Sequence, residues 1–155
     1  MRSDRRADRF DPLAGVGCSG RRRKVSTPVA GLPEALVPME MLKDADYGAA
    51  MSDATKWKQL RCRHDFEYWC AACATVKHKL EGRDVPFVLN RPQRRVAAIM
   101  EADRRAGRPI RLIMLKARQW GGSTLVQMYM AWIQSCHRRN WNSLICAHVK
   151  DTAAS

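Results

Sequence analysis

Residues 110–127 read IRLIMLKARQWGGSTLVQ, and the predicted fold is arranged around this stretch. Its first part, residues 110–115, is a short apolar run between Pro109 and Lys116. Such a run is typical of a strand that a parallel sheet buries on both faces. A mostly apolar segment, residues 122–137, follows and favours a helix sandwiched between a sheet and its neighbours. The sequence therefore predicts a strand, a turn and a helix in succession.

The turn between this strand and this helix has the composition of a phosphate-binding loop. Gly121 and Gly122 allow the backbone to turn tightly, and Ser123 and Thr124 place hydroxyl groups in the first helical turn. The free N–H groups of such a loop point at one spot, where the positive end of the helix dipole favours an anion. The bare pattern is equally compatible with an ordinary glycine turn between a strand and a helix.

The loop departs from the standard pattern G-x-x-x-x-G-K-[ST]. When Gly121 and Ser123 are placed on the last glycine and the hydroxyl position, Gly122 occupies the usual lysine position and Lys116 that of the first glycine. From the end of the strand, Lys116 can still reach back to the β- and γ-phosphate oxygens of a nucleotide, and Arg118 offers a second cation. Ser123 keeps the usual role of an oxygen ligand for nucleotide-bound Mg²⁺.

Residues 115–134, LKARQWGGSTLVQMYMAWIQ, resemble the start of the ATPase domain of tailed-phage terminase large subunits, the motors that cut and package viral DNA. LNRPQRRV, residues 89–96, and NSLICAHVKDTA, residues 142–153, extend the resemblance. It covers residues 62–155 and is specific from residue 86 onward. That family has variant phosphate loops with a lysine at the N-terminal end, and K-A-R-Q-x-G-G-S-T is similar to this variant.

The resemblance implies a fold and a set of binding residues. The implied fold is α/β, a three-layer P-loop NTPase of which this chain holds the first βαβ unit, truncated, after a helical N-terminal subdomain. Gln93 matches the adenine-reading segment of such motors. A glutamine suits this role because one amide can both donate to and accept from the adenine edge. The implied ligands of ATP are Gln93, Lys116, Arg118, Gln119, Gly121, Gly122, Ser123 and Thr124, with Ser123 also binding Mg²⁺ through the nucleotide.

The implied function is the ATP-binding N-terminal portion of a terminase large subunit, which drives double-stranded DNA into a procapsid. The implied partners are double-stranded DNA, the terminase small subunit and the portal of the procapsid. The family's acidic metal-binding strand, catalytic glutamate and nuclease carboxylates have no counterpart in this sequence, so we expect this chain alone to bind ATP weakly, if at all, and neither to hydrolyse ATP nor to cut DNA. The alternative is a basic DNA-binding or assembly module, such as a decayed prophage remnant, without nucleotide chemistry.

Charge and composition agree with a polyanionic partner. The net charge is +13, and the positive charge is concentrated in residues 1–30 and 91–118. The sequence has no 18-residue apolar stretch and no apolar core of a signal peptide, so we expect no membrane partner and a place in the cytoplasm of a bacterial host.

The cysteines allow two interpretations. Cys62, His64, Cys70 and Cys73 contain a C-x-x-C and can be drawn as a zinc site. Residues 64–76, however, read as one amphipathic helix, whereas structural zinc sites take their ligands from turns with wider spacing. Reduced thiols are therefore the favoured interpretation.

The sequence divides into three parts: a basic disordered tail, residues 1–33; a helical subdomain, residues 34–76; and an incomplete ATPase domain, residues 77–155. The first predicted helix has its N-cap at Ser52 or Asp53 and ends at about residue 60. Further helices are predicted over residues 63–76, over residues 91–105 after an Asn90 cap, and over residues 122–137. A short hairpin or an extended crossing is predicted over residues 77–89, with Gly82 at a turn, and a second strand is predicted over residues 143–149. In the third helix the expected buried stripe is Val96, Ile99 and Met100, and the expected outward residues are Arg91, Arg94, Arg95, Arg104 and Arg105.

Overall fold

The computed structural model describes residues 10–78, 81–115 and 120–138, together with residues 140, 142 and 144. These residues form a mixed α/β structure in which the strands pair antiparallel, in two two-stranded sheets. The elements are β1 (Arg22–Ser26), β2 (Glu34–Pro38), a 3-10 helix (Met41–Lys43), α1 (Tyr47–Ala50), α2 (Ala54–His64), α3 (Phe66–Cys73), β3 (Thr75–Lys77), β4 (Asp84–Pro86), α4 (Arg91–Arg105) and α5 (Gly122–Cys136). Within this part of the chain, no helix has both the length and the apolar character that crossing a bilayer requires.

The N-terminal part of the chain is a sheet packed on helices. Strands β1 and β2 pair with Arg22 opposite Pro38. Apolar side chains from β2, the 3-10 helix, α1 and α2 form a first core, which consists of Ala35, Val37, Met41, Ala50, Trp57 and Leu60. The prediction that residues 1–33 are a disordered tail is therefore wrong for β1. Composition predicted disorder because the segment has few apolar side chains, but backbone pairing and buried ion pairs hold it instead.

Buried charged groups attach this N-terminal segment to the helices. The Asp65 carboxylate, 2% exposed, accepts hydrogen bonds of 2.7 and 3.0 Å from the Arg22 guanidinium and one of 3.4 Å from Nε of Arg61. The Arg61 guanidinium is fully buried and also donates to the carbonyl oxygens of Pro12 and Leu13. Each buried charge thus has a partner, which is the condition under which burying charge is tolerated.

Helices α2 and α3 meet at Asp65. The helix predicted to begin after Ser52 or Asp53 is confirmed as α2, which continues past the predicted end to His64, and the Asp53 carboxylate accepts hydrogen bonds from N–H groups of its first turn. The helix predicted over residues 63–76 is shorter in the structure, because Asp65 has an extended backbone and caps a new helix by accepting from the N–H of Tyr68. The chain therefore makes a corner where one continuous helix was expected.

Of the two alternatives predicted around Gly82, the structure contains the hairpin. Strands β3 and β4 pair with Val76 opposite Val85, and Gly82 has a left-handed backbone with φ of +64° in the connection between them. Glycine adopts this conformation without a steric cost. The hairpin leads directly into α4.

Helices α4 and α5 begin where the sequence predicts, after Asn90 and at Gly122. With α3 and the hairpin they enclose a second core, which consists of Phe66, Cys70, Ala74, Phe87, Leu89, Ala97, Met100, Leu125, Tyr129 and Trp132. The predicted buried stripe of α4 is partly wrong, because Ile99 is half exposed whereas Gln93 and Glu101 are buried. Both buried polar residues have hydrogen-bond partners on α5 or the turn before it, which is why α4 presents this face to the core.

The strand predicted over residues 110–115 is not formed in the structure. These residues lie in no strand, and the side chains of Ile113 and Leu115 are fully exposed. Apolar side chains indicate that burial is favourable, but a strand also needs a neighbouring backbone to pair with, and no described segment pairs here. The second predicted strand, residues 143–149, lies outside the described residues except for Leu144. A βαβ unit is therefore not confirmed.

Candidate functional site

The predicted phosphate loop ends in a turn at Gly121. This residue has a left-handed backbone with φ of +79° and directly precedes Gly122, the first residue of α5. A Cβ atom at position 121 would lie 2.7 Å from the Nε2 atom of Gln93, closer than real Cβ atoms approach a heavy atom. Position 121 therefore favours glycine twice, for its backbone conformation and for its close neighbour.

The first turn of α5 carries the other glycine and the two hydroxyl residues. Gly122 is buried, Ser123 is exposed and Thr124 is half buried. No side chain of the described residues caps this end of α5. Its first N–H groups therefore have no side-chain acceptor, and together with the helix dipole they favour an anion such as a phosphate.

The start of α4 lies against the same turn. The Nε2 atom of Gln93 donates to the carbonyl oxygen of Gly121 at 3.0 Å, and Nδ2 of Asn90 donates to the carbonyl oxygen of Trp120 at 3.1 Å. Within α4, the N–H of Gln93 donates to Oδ1 of Asn90 and the N–H of Asn90 donates to Oε1 of Gln93, both at 2.9 Å. This capping box therefore also holds the turn before α5, although 28 residues separate Gln93 from Gly121.

The Gln93 amide has a structural role in this arrangement. It is 3% exposed, its oxygen accepts from one backbone group and its nitrogen donates to another. Recognition of adenine by Gln93 stays a prediction, and it requires the amide to exchange at least one of these hydrogen bonds for one to the base. Asn90 and Trp120 were not among the residues that the sequence predicted for the site. The spacing Asn90-x-x-Gln93, with an amide at each end of a capping box, is the signal for the first of them.

The structure does not describe three of the residues that the sequence predicts for the phosphate loop. Lys116, Arg118 and Gln119 lie outside the described residues. The structure thus brings Gln93 together with the glycine turn and the hydroxyl residues of α5, while the positions of Lys116 and Arg118 relative to Ser123 stay predictions.

An open groove of about 520 Å³ begins beside the turn. It lies between α4 and residues 112–115, and Trp120 connects it to the turn. Its lining is apolar apart from one arginine and consists of Pro92, Arg95, Val96, Ile99, Leu112, Ile113, Met114, Leu115 and Trp120. The volume falls in the range of about 300–1,000 Å³ in which small-molecule sites occur.

A buried polar cluster fixes α4 against α5 further from the turn. The Tyr129 hydroxyl donates to Oε1 of Glu101 at 2.7 Å, and Arg104 donates to both oxygens of the same carboxylate at 2.7 and 2.9 Å. Burial raises the pKa of the Tyr129 hydroxyl above its usual value, and the negative charge of Glu101 raises it further. Tyr129 therefore remains a hydrogen-bond donor at physiological pH. The two helices of the candidate site are thus connected at two places, through the turn before α5 and through this cluster.

The arginines around α4 fall into two groups. Arg91, Arg95 and Arg111 are exposed, and their side chains form no hydrogen bond or ion pair with any other described residue. The prediction that all five arginines of α4 face outward is wrong for Arg94, which donates to a backbone carbonyl oxygen of the N-terminal segment at 2.6 Å. It is also wrong for Arg104, which belongs to the polar cluster with Glu101. Of the arginines in and just after α4, the unpaired ones are thus Arg91 and Arg95 near the start of the helix and Arg111 beyond its end.

The residues of the possible zinc site have separate surroundings. The Nε2 atom of His64 lies 2.7 Å from Oδ2 of Asp44, Cys70 is buried in the second core, and Cys62 and Cys73 lie beside each other. In the described ranges, no three His, Cys, Asp or Glu residues are grouped so that they can hold a metal ion.

Comparison of the chain with protein-family models, with curated proteins and with solved structures found no match. The class that the structure defines is thus a mixed α/β protein with a glycine turn at a helix N-terminus.

Proposed function

We propose that this chain is the ATP-binding N-terminal portion of a DNA-packaging ATPase of the terminase large subunit type. The observation that supports the proposal is the hydrogen bond between Gln93 and Gly121. The family resemblance assigns these residues to two separate stretches, one that reads adenine and one that binds phosphate. If both stretches serve one nucleotide they must lie together, and the 3.0 Å contact satisfies that requirement.

In this proposal the phosphates of ATP lie at the N-terminus of α5. The backbone N–H groups of Gly121 and Gly122 face the phosphate oxygens, and the exposed Ser123 hydroxyl binds Mg²⁺. Thr124 adds a second hydroxyl at this end of the helix. Lys116 and Arg118 supply the positive charge that the standard loop takes from its lysine, and Gln119 completes the loop between them and the glycines.

The proposal extends to the fold and to the partners of the family. Residues 110–115 are proposed to become the central strand of a three-layer P-loop fold when neighbouring strands pair with them, and the exposure of Ile113 and Leu115 is consistent with an unpaired strand. ATP supplies the γ-phosphate whose hydrolysis in such motors drives double-stranded DNA through the portal into the procapsid. The terminase small subunit is the further proposed partner, in the cytoplasm of a bacterial host.

Binding of a fluorescent ATP analogue in the presence of Mg²⁺ tests the nucleotide site. We expect Lys116→Ala and Ser123→Ala each to weaken binding about tenfold or more, because each removes a contact to the phosphates or to the metal. Lys58→Ala, at an exposed position of α2, and Ser135→Ala, near the other end of α5, are matched controls that should bind like the wild-type chain. Absence of binding by the wild-type chain, or equal binding by site and control variants, would contradict the proposed nucleotide site.

A second candidate function is a basic DNA-binding or assembly module without nucleotide chemistry. The unpaired cations Arg91, Arg95 and Arg111 favour it, since exposed arginines without carboxylate partners are available for phosphate groups. The same measurements separate the two functions. Binding to duplex DNA with no binding of the ATP analogue is the outcome that selects the second candidate.

A further inference from the structure

Two thiols lie side by side near the corner between α2 and α3. The Sγ atoms of Cys62, in α2, and of Cys73, the last residue of α3, are 3.5 Å apart. The S–S bond of a disulfide is about 2.0 Å long, so the two atoms need to approach by only about 1.5 Å. Since both residues lie at helix ends, small side-chain rotations and slight movements of the last helical turns can supply this approach. We propose that Cys62 and Cys73 form a reversible intramolecular disulfide.

The two thiols differ in access, which sets the order of the reaction. Cys73 is exposed, whereas Cys62 is partly buried. Burial raises the pKa of the Cys62 thiol far above its usual value, and the neighbouring Cys73 adds to this effect. Because the thiolate is the attacking species and needs access to the oxidant, Cys73 reacts first and Cys62 second.

The oxidant is a low-molecular-weight disulfide such as glutathione disulfide. The Cys73 thiolate attacks one sulfur of this disulfide, a mixed disulfide forms, and one small thiolate leaves. Cys62 then loses its proton to solvent and attacks the Cys73 sulfur, which expels the second part of the mixed disulfide as a thiolate. In total, two protein thiols are oxidised to one disulfide, and one small disulfide is reduced to two small thiols.

The bond would join α2 to α3 at a point to which other elements are attached. Asp65, between the two helices, holds the buried guanidinium groups of Arg22 and Arg61. The indole N–H of Trp132, in α5, donates to the carbonyl oxygen of Cys62 at 2.7 Å. Oxidation should therefore stiffen the corner against which α5 packs, and a closed loop of this length should raise the apparent Tm by about 5–10 °C.

Treatment of the full chain with glutathione disulfide at mildly alkaline pH tests the proposal. The intact mass should fall by that of two hydrogen atoms, and dithiothreitol should restore it. After alkylation of free thiols, trypsin should release Cys62 with Arg63 as a dipeptide, still linked to residues 64–77, which contain Cys70 and Cys73. Fragmentation of this linked peptide should place the bond on Cys73.

Two variants provide the controls. Cys73→Ser should abolish the linked peptide, whereas Cys136→Ser should retain it, although Cys136 is close enough to influence the pKa of Cys62. A wild-type chain that forms only mixed disulfides, or a bond from Cys62 to Cys70 or Cys136, would overturn the proposal. The fragmentation of the wild-type peptide identifies the cysteine bonded to Cys62 even if a variant fails to fold.

Discussion

Replacement of Gly121 by alanine tests whether Gln93 holds the turn before α5. An alanine at φ of +79° has a backbone strain of about 1–2 kcal/mol. Its Cβ would also lie 2.7 Å from the end of the flexible Gln93 side chain, which must move aside. The amide then loses its hydrogen bond to the carbonyl oxygen of residue 121, at a cost of about 0.5–1.5 kcal/mol. We expect Gly121→Ala to lower the free energy of unfolding by about 1.5–3.5 kcal/mol.

Gly107 provides a matched control. It has a φ of +68°, but no atom lies within 4 Å of the position that its Cβ would take. Gly107→Ala should therefore lower the free energy of unfolding by the backbone strain alone, about 1–2 kcal/mol. The difference of about 1 kcal/mol corresponds to about 0.5 M in the midpoint of a urea titration if m is about 2 kcal/mol/M. Tryptophan fluorescence measures the transition, since Trp120 lies next to the turn and Trp132 lies in the second core.

A double-mutant cycle with Gln93→Ala sharpens this test. If Gln93 is the neighbour that Gly121→Ala displaces, the alanine at position 121 should cost less in the Gln93→Ala background than in the wild-type chain. Equal losses for Gly121→Ala and Gly107→Ala, or a strictly additive cycle, would refute the contact between α4 and the turn.

Asp65→Asn should lower the free energy of unfolding by about 3–5 kcal/mol because it leaves two buried arginines without their counter-charge. Glu34→Gln, at an exposed ion pair, should change it by less than about 1 kcal/mol. Burial lowers the pKa of His137 from its usual 6.5 to about 4, so between these values the unfolded chain binds more protons than the folded chain. Stability should therefore fall as the pH drops from 6.5 to about 4, and His137→Phe should make this fall shallower in pH-dependent urea titrations. Duplex DNA should bind less tightly as salt increases, and Arg95→Ala should lower the slope of log K against log salt by about 1, whereas Arg108→Ala, whose guanidinium is paired with a carboxylate, should lower it less.

Each of these measurements has an outcome that contradicts its premise. Similar losses for Asp65→Asn and Glu34→Gln would mean that the buried ion pairs are not formed in solution. An acid response that His137→Phe leaves unchanged would assign the pH dependence to carboxylates instead. A slope that Arg95→Ala leaves unchanged would show that DNA does not contact the start of α4.

Helix starts are the part of the fold that the sequence predicts best. Asp53, one of the two predicted cap residues, caps α2, Asn90 caps α4 as expected, and Gly121 precedes α5. A cap acts on N–H groups two or three residues away, so its signal is contained in a few consecutive residues. The break at Asp65 has the same local cause, but an apolar periodicity that runs across it concealed the corner.

The candidate site was predicted as a set of residues and not as an arrangement. The motif named Gln93 and Gly121, but their contact depends on how α4 packs against α5, which the Tyr129 and Glu101 cluster and the second core determine. Packing of this kind also turned Gln93 into the core and left Ile99 half exposed. A helical periodicity indicates which residues share a face, but the surface that this face meets lies elsewhere in the chain.

By itself, then, the sequence determined the local features: helix starts, a turn at Gly82, the glycine turn before α5 and the excess of positive charge. Only the tertiary structure decided that Arg22–Ser26 is a strand and that residues 110–115 are not. Strand formation requires a second backbone, and burial of Arg22 requires Asp65, which is 43 residues away in the chain. Such interactions depend on groups that are distant in sequence, and composition or periodicity within a short window carries no information about them.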